Sequence, residues 1–411
     1  MKTRHIIYVL LLFALVLASC APKAADAPAE VEEASDAGEP EVCATDEFGC
    51  AKIPAGETIK LGMGAPMTGD YSMFGIDISN GAMLAVADQA DVEGFAFELV
   101  AEDTQGSPEA GAAVANKFVS DPTFVAIPGH IFSGSTEAAI PIYEKAGLPM
   151  MSPSATNPPL TELGSKVFNR VAFTDDVQAG DSAAFMYNEL NVRKLAVMHD
   201  GGTYGQGLAD LTQDKFEELG GEVVAYEAVT VGETDYTAVL SSVAAKEPEA
   251  IYFGGYVAEG VVIVNQMAQS GLGDAIFFGC DGTFGKEFLE KTGANGEGAY
   301  AASLVPPDSA AKEAFDAAHV EAYGEEPGVL SPYTWSGYDA AKSLMDQVAA
   351  VAVLGDDGSL YVPRGALVEA VRTMSGETGI TGDITCTEVG ECNTAGPALY
   401  IIQGGEWVSA K

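Results

Sequence analysis

Short apolar runs alternate with amphipathic helical stretches along this chain, and the rhythm is completed twice. The first series has strand patterns at 59–63, 97–100, 124–127 and 148–151, with helical patterns at 78–90, 110–119 and 137–143. The second has strand patterns at 195–198, 222–226, 250–253 and 275–278, separated by helical patterns at 208–219, 236–245 and 260–269. Strands that alternate with helices imply parallel sheets covered on both faces. The second series repeats the architecture of the first without obvious sequence identity. The roughly 350 residues involved are too many for one small core and suit two lobes. The expected fold class is α/β, with two doubly wound lobes whose strand-end loops converge on a shared cleft.

The residues at those strand ends point to a small-molecule receptor. Two hydroxyl-rich segments, Phe132-Ser133-Gly134-Ser135-Thr136 and Ser152-Pro153-Ser154-Ala155-Thr156-Asn157, each follow an apolar run. A strand that ends in Ser, Thr and Gly and opens a helix gathers hydroxyls and free backbone N–H groups at one point, which suits a carboxylate. Each segment taken singly also reads as an ordinary cap or turn. In the second series the loops offer Tyr204, Gly254-Gly255-Tyr256 and Cys280-Asp281-Gly282. A zwitterion fits between the two sets, with Asp281 pairing an ammonium and the tyrosines walling the site. Asp281-Gly282 equally suits a turn.

The ends of the chain address location. Lys2, Arg4 and His5 precede an apolar run at 6–17 that is short for a membrane span, and Leu17-Ala18-Ser19-Cys20 resembles the lipobox of bacterial lipoproteins. Residues 1–19 are therefore expected to be a lipoprotein signal peptide, with Cys20 carrying the lipid that anchors the protein outside the cytoplasm. Residues 20–56, rich in Ala, Pro, Asp and Glu, read as a disordered acidic stalk. The formal charge is −40, and −42 once Lys2 and Arg4 leave with the signal. Such acidity argues against nucleic acid and against adhesion to anionic lipid. Outside the cytoplasm, Cys43 with Cys50 and Cys386 with Cys392 are placed for local disulfides, and Cys280 is left as a buried thiol.

Catalytic and cofactor readings fare poorly. Gly62-Met63-Gly64-Ala65-Pro66-Met67 lacks the third glycine of a dinucleotide loop, and Pro66 removes a backbone donor. No GxSxG elbow or CxxC pair occurs, and His199-Asp200 would point to opposite faces of a strand. We expect no enzyme activity, no metal and no cofactor.

From residue 59 to the C-terminus the chain resembles the branched-chain amino-acid-binding proteins of ABC importers, the leucine/isoleucine/valine type with the type I periplasmic-binding fold. The resemblance rests on Gly129-His130-Ile131-Phe132-Ser133-Gly134-Ser135-Thr136, Ser152-Pro153-Ser154-Ala155-Thr156-Asn157-Pro158, His199-Asp200 with Tyr204-Gly205-Gln206-Gly207, and Tyr252-Phe253-Gly254-Gly255-Tyr256. It implies that Ser133, Ser154 and Thr156 hold a ligand carboxylate, that Tyr204 and Tyr256 line the second lobe, and that Asp281 meets the amino group. Phe74 stands where some relatives carry Trp, and Asp281 where many carry Glu; Phe132 is expected to join Phe74 around the ligand. The resemblance further implies a three-segment hinge near Thr174, Val305 and Ala398. Lobe 1 would then comprise 57–174 and 305–397, and lobe 2 175–304 and 398–411. A monomer delivering its ligand to permease subunits is the expected mode of action. Urea, a short amide or an aromatic acid is the alternative ligand.

Overall fold

The computed structural model describes residues 38–392 and 396–410. The expected signal peptide and Cys20 lie outside the described residues, as does about half of the expected stalk, residues 20–37. The part of that stalk within view is ordered. Strand β1 (Cys50–Ile53) runs antiparallel to a later strand, with Ala51 and Ile53 fully buried. A disulfide joins Cys43 to Cys50, and Asp46 accepts bonds from the backbone N–H groups of Gly365 and Ala366. The stalk reading fails here because two small apolar side chains at alternate positions suffice to seat an edge strand on an existing sheet.

In the first lobe, β2 (Ile59–Ala65) lies between β3 (Phe97–Asp103) and β4 (Phe124–Ala126), all parallel. A parallel bridge from Ile127 to Met150 carries the sheet on to β5 (Met150–Ser152), which pairs with β6 (Phe168–Arg170). β2 is buried over nearly its whole length, as a strand covered by helices on both faces must be. The helix Pro108–Ser120 starts on Ser107, whose hydroxyl accepts from Ala110 N–H, with proline in its first turn.

In the second lobe, β7 (Lys194–His199), β8 (Glu222–Ala228), β9 (Ala250–Gly254), β10 (Ile276–Gly279) and β11 (Tyr300–Ser303) are parallel, in the order β11-β10-β9-β7-β8. β12 (Val353–Leu354) and β13 (Leu360–Pro363) form a small sheet with β1, and β14 (Glu377–Thr378) pairs with β15 (Asp383–Ile384). The chain ends with β16 (Ala398–Gln403) and β17 (Glu406–Ser409), added antiparallel at the β11 edge. A second disulfide joins Cys386 to Cys392, and Cys280 is a buried free thiol. The architecture is α/β, with parallel sheets between helices, as expected from the sequence.

Two glycines set one helix crossing that the cleft depends on. The helices Ser72–Asp88 and Thr334–Val351 approach so closely that a Cβ at Gly81 would run into the Thr334 carbonyl, and one at Gly337 into the Ile78 carbonyl. Neither obstacle is a flexible side chain, so the backbone itself would have to move. Gly337→Ala is therefore expected to cost roughly 1–3 kcal/mol, read as a lower urea midpoint with an unchanged slope.

Candidate functional site

The helix Ser133–Ala146 begins directly at the end of the first-lobe strands, with Phe132 as its N-cap. Ser133, expected in a loop, is thus the first helical residue, and its turn presents N–H groups that have no carbonyl partner within the helix. The neighbouring hydroxyls divide into two kinds. Ser135, Thr136, Ser152 and Ser154 give their protons to backbone carbonyls of Phe132, His130, His130 and Ile131, at 3.0, 3.2, 2.6 and 2.7 Å. The first two are structural bonds within the first segment, and those of Ser152 and Ser154 fold the second segment onto it. Ser133 instead accepts from Asn157 N–H at 3.4 Å, and Thr156 Oγ1 has no partner among the described residues. The latter two keep their donors.

Opposite them stand residues of the second lobe. Tyr204 lies in the first turn of the helix Thr203–Glu218, and Tyr256 is the N-cap of Val257–Met267. Asp281 opens the single 3₁₀ turn Asp281–Thr283 after β10, as the turn reading of Asp281-Gly282 expects, and it also lines the cavity described below. Its Oδ1 accepts from Tyr204 and from Gln178 Nε2 at 2.6 Å, and its Oδ2 from Tyr333 at 2.8 Å. Gln178 Oε1 accepts the Asp281 N–H at 2.9 Å. All these donors are neutral. Burial raises the Asp281 pKa above the ordinary carboxylate range, against the three hydrogen bonds that favour its charged form.

Aromatic rings close the space between the two sets. Phe132 stacks on Tyr256 with ring centroids 4.2 Å apart, and Phe74 meets both rings edge-on. The cavity between them is about 20 Å³, room for one water. It is lined by Phe74, Phe132, Ser133, Ser154, Tyr204, Tyr256 and Asp281 from the sequence-based set, and also by Ile131, Gly282 and Tyr333. Thr156 is fully buried beside this lining but not part of it. Hydrogen bonds join the two sets of elements around the cavity: Tyr71 O–H lies 3.2 Å from both Glu259 carboxyl oxygens, Asn157 Nδ2 donates to Thr203 O at 2.8 Å, and Thr203 Oγ1 donates to Glu137 at 3.0 Å. Any ligand larger than water must part these contacts.

Sequence reasoning missed Tyr333, because it sits far along the chain as the residue before the helix Thr334–Val351. The structural signal is Asp77, a fully buried carboxylate that accepts from Ser331 Oγ at 2.7 Å and Thr334 Oγ1 at 2.6 Å, gripping both sides of Tyr333. His199 and Asp200 take turn roles: Nδ1 of one accepts from Gly201 N–H and a carboxyl oxygen of the other from Gly202 N–H. A larger groove of about 660 Å³ beside Phe315 and Tyr338 is open, and the Asp339 carboxylate at its floor is satisfied by Ile380 and Thr381.

Burial pushes Asp77 and Asp200 up to about 6. A carboxyl with a raised folded-state pKa holds its proton longer in the native chain than in the unfolded one. Stability therefore rises as pH falls from 7 toward 5, by about 1 kcal/mol for each group. A thermal melt series over that range is expected to show a higher melting temperature at pH 5 than at pH 7.

The family model for periplasmic binding protein matches residues 58–405. An amino acid binding protein of Pseudomonas aeruginosa is 36% identical over 238 residues, 57% of this chain; the match spans 63% of that relative, somewhat under two thirds of its length. A Leu/Ile/Val-binding protein homolog of Brucella abortus is 31% identical over 345 residues, covering 83% of this chain and 90% of the relative. Among solved structures, a leucine binding protein from Thermotoga maritima superposes with a TM-score of 0.77 at 29% identity, covering 86% of this chain and 98% of that one.

Proposed function

Given that the chain belongs to the periplasmic binding protein family, whose members are extracytoplasmic solute receptors and not enzymes, we propose that it captures a branched-chain or other apolar α-amino acid and hands it to an ABC importer. One observation carries the reading. Asp281 is a buried carboxylate surrounded only by neutral donors, and it faces the Ser133 helix N-terminus across an aromatic-walled cavity. An ammonium supplies the counter-charge that Asp281 lacks, and the helix N-terminus with Ser133 and Thr156 receives the carboxylate, while Ser154, whose proton is held by the Ile131 carbonyl, shapes the loop. A ligand without an ammonium leaves Asp281 uncompensated in a closed site, which disfavours urea, amides and aromatic acids.

Binding then works by hinge closure about the crossings near Thr174, Val305 and Ala398. In the open form the carboxylate docks on the first lobe. The second lobe follows with Asp281, Tyr204 and Tyr256, while Phe74 and Phe132 fold over the apolar side chain. We place the protein as a monomer tethered by lipid on Cys20, within reach of permease subunits; Cys20→Ser is the variant that should release it from membranes.

The test is a thermal-shift screen of the mature protein against L-amino acids, urea, acetamide and benzoate. Leucine, isoleucine or valine at a hundredfold over its Kd adds about 2.7 kcal/mol of stability. Stabilisation by benzoate or an amide with none by any amino acid would replace this reading with the alternative.

A further inference from the structure

We propose that Asp175 is a positioning residue for this cleft: it keeps its carboxyl protonated and donates that proton to the Thr156 hydroxyl, so that the Thr156 O–H is free for an anionic ligand group. The inference rests on the reading of the cleft as an amino-acid receptor.

Asp175 is the first residue of the helix Asp175–Asn188 and is fully buried. Its N–H donates to Thr156 O at 3.1 Å, which places the two residues side by side. Among the described residues neither of its carboxyl oxygens has a hydrogen-bond partner, and Thr156 Oγ1 lacks one too. The hydroxyl is close enough to favour the charged form of Asp175, yet the two side chains stop short of hydrogen-bond geometry in this closed arrangement. Two buried groups without a partner among the described residues, one able to donate to the other, thus sit on directly hydrogen-bonded backbone.

The surroundings decide which way the proton goes. Asp281 and Asp176 set negative charge near Asp175, and Tyr204, Tyr252 and Tyr333 bring only neutral hydroxyls. Arg170 is the nearby cation, but its donors go to Glu391, Thr161 and the carbonyls of Ala155 and Asn157. Of the two buried carboxyls, Asp281 accepts three hydrogen bonds and Asp175 none. The charge therefore resides on Asp281 and the shared proton on Asp175; burial and the Asp281 charge both act in that direction.

That proton sets the polarity of the next group. An ionised Asp175 would take the Thr156 proton and turn the hydroxyl lone pairs toward the ligand, repelling a carboxylate. A protonated Asp175 donates to Thr156 Oγ1 instead, and the Thr156 O–H then points outward as a donor. Amino-acid affinity should accordingly fall as pH rises through the titration of Asp175, by no more than tenfold per pH unit for one linked proton.

The experiment combines infrared spectroscopy with calorimetry on the ligand-free mature protein and on its complex with L-leucine. A protonated-carboxyl band is expected at pH 7 in the wild type and in Asp281→Asn, and should lose the component due to Asp175 in Asp175→Asn, leaving only the contribution of other buried carboxyls such as Asp77 and Asp200. The amide of Asp175→Asn can still donate to Thr156, so this variant should bind leucine within threefold of wild type at pH 6 and stay flat up to pH 9. Wild-type affinity should drop wherever the band fades. A band undiminished in Asp175→Asn, a loss above tenfold at pH 6 in that variant, or wild-type affinity indifferent to loss of the Asp175 component overturns the proposal. If Asp175→Asn does not fold, Thr156→Val reads the same contact: it should shift the band without removing it, and an unmoved band counts against the contact. Should no amino acid bind, the reading of the cleft fails, while the band in the ligand-free protein still locates the proton.

Discussion

Asp281→Ala is expected to weaken amino-acid binding roughly thirtyfold or more, because removing one partner of a buried, hydrogen-bonded charge pair costs on the order of 2–5 kcal/mol. The structure adds a second, opposite expectation for the ligand-free protein. Burial raises the Asp281 pKa, so the ionised side chain opposes folding at neutral pH. That unfavourable contribution is absent below the unfolded-state pKa and grows as pH rises toward the folded-state value. Asp281→Asn removes the charge while keeping an acceptor for Tyr204 or Tyr333. It should therefore lose the ligand yet melt no lower than wild type at pH 7. Calorimetry with leucine and a melt without it separate the two effects. Unchanged affinity in both variants would remove Asp281 from the binding machinery, whereas a fall in ligand-free stability matching the fall in affinity would make its role structural.

Glu391→Ala is the second large effect, expected to destabilise the fold by about 3 kcal/mol or more by leaving a buried cation unpaired. Arg170 is completely buried, and its Nε donates to Glu391 at 2.8 Å while a second nitrogen pairs with the other carboxyl oxygen. Glu391 itself lies inside the loop closed by the Cys386–Cys392 disulfide, and the backbone of that loop brackets Arg170 through Gly390 O and Cys392 N. Arg170 Nη1 in turn holds the carbonyls of Ala155 and Asn157 at 3.0 and 2.8 Å, on either side of Thr156. Loss of Glu391 should thus lower leucine affinity as well as the urea midpoint. Combining Arg170→Met with Glu391→Leu should cost less than Glu391→Ala alone, since no buried charge is then stranded. A loss under 1 kcal/mol in Glu391→Ala would show that water reaches Arg170 and replaces the carboxylate.

These two side chains illustrate different depths of legibility. Asp281 was visible in the sequence as an acidic residue after an apolar run, in order with two tyrosines. Its neighbours Gln178 and Tyr333 were not, because each comes from a helix with an unremarkable local pattern. Ser154 was visible as a loop hydroxyl, yet it spends its proton on the Ile131 carbonyl, a bond that only the folded loop creates. The segment around Cys50 was misread for a related reason: its strand exists through pairing with Leu360–Pro363, some three hundred residues away.

The sequence by itself determined the element order, the repeated α/β rhythm and the strand ends that carry polar groups. Those follow from periodicity and burial, which act over a few neighbouring residues. Tertiary structure decided which hydroxyls keep a free donor, which carboxyl is buried without a partner among the described residues and how little space the aromatic rings leave. Such properties depend on distances of a few ångströms between residues remote in the chain, and on the loss of water around them. For Asp175 that loss is complete: a residue indistinguishable from its neighbour Asp176 in sequence becomes a buried group without a partner.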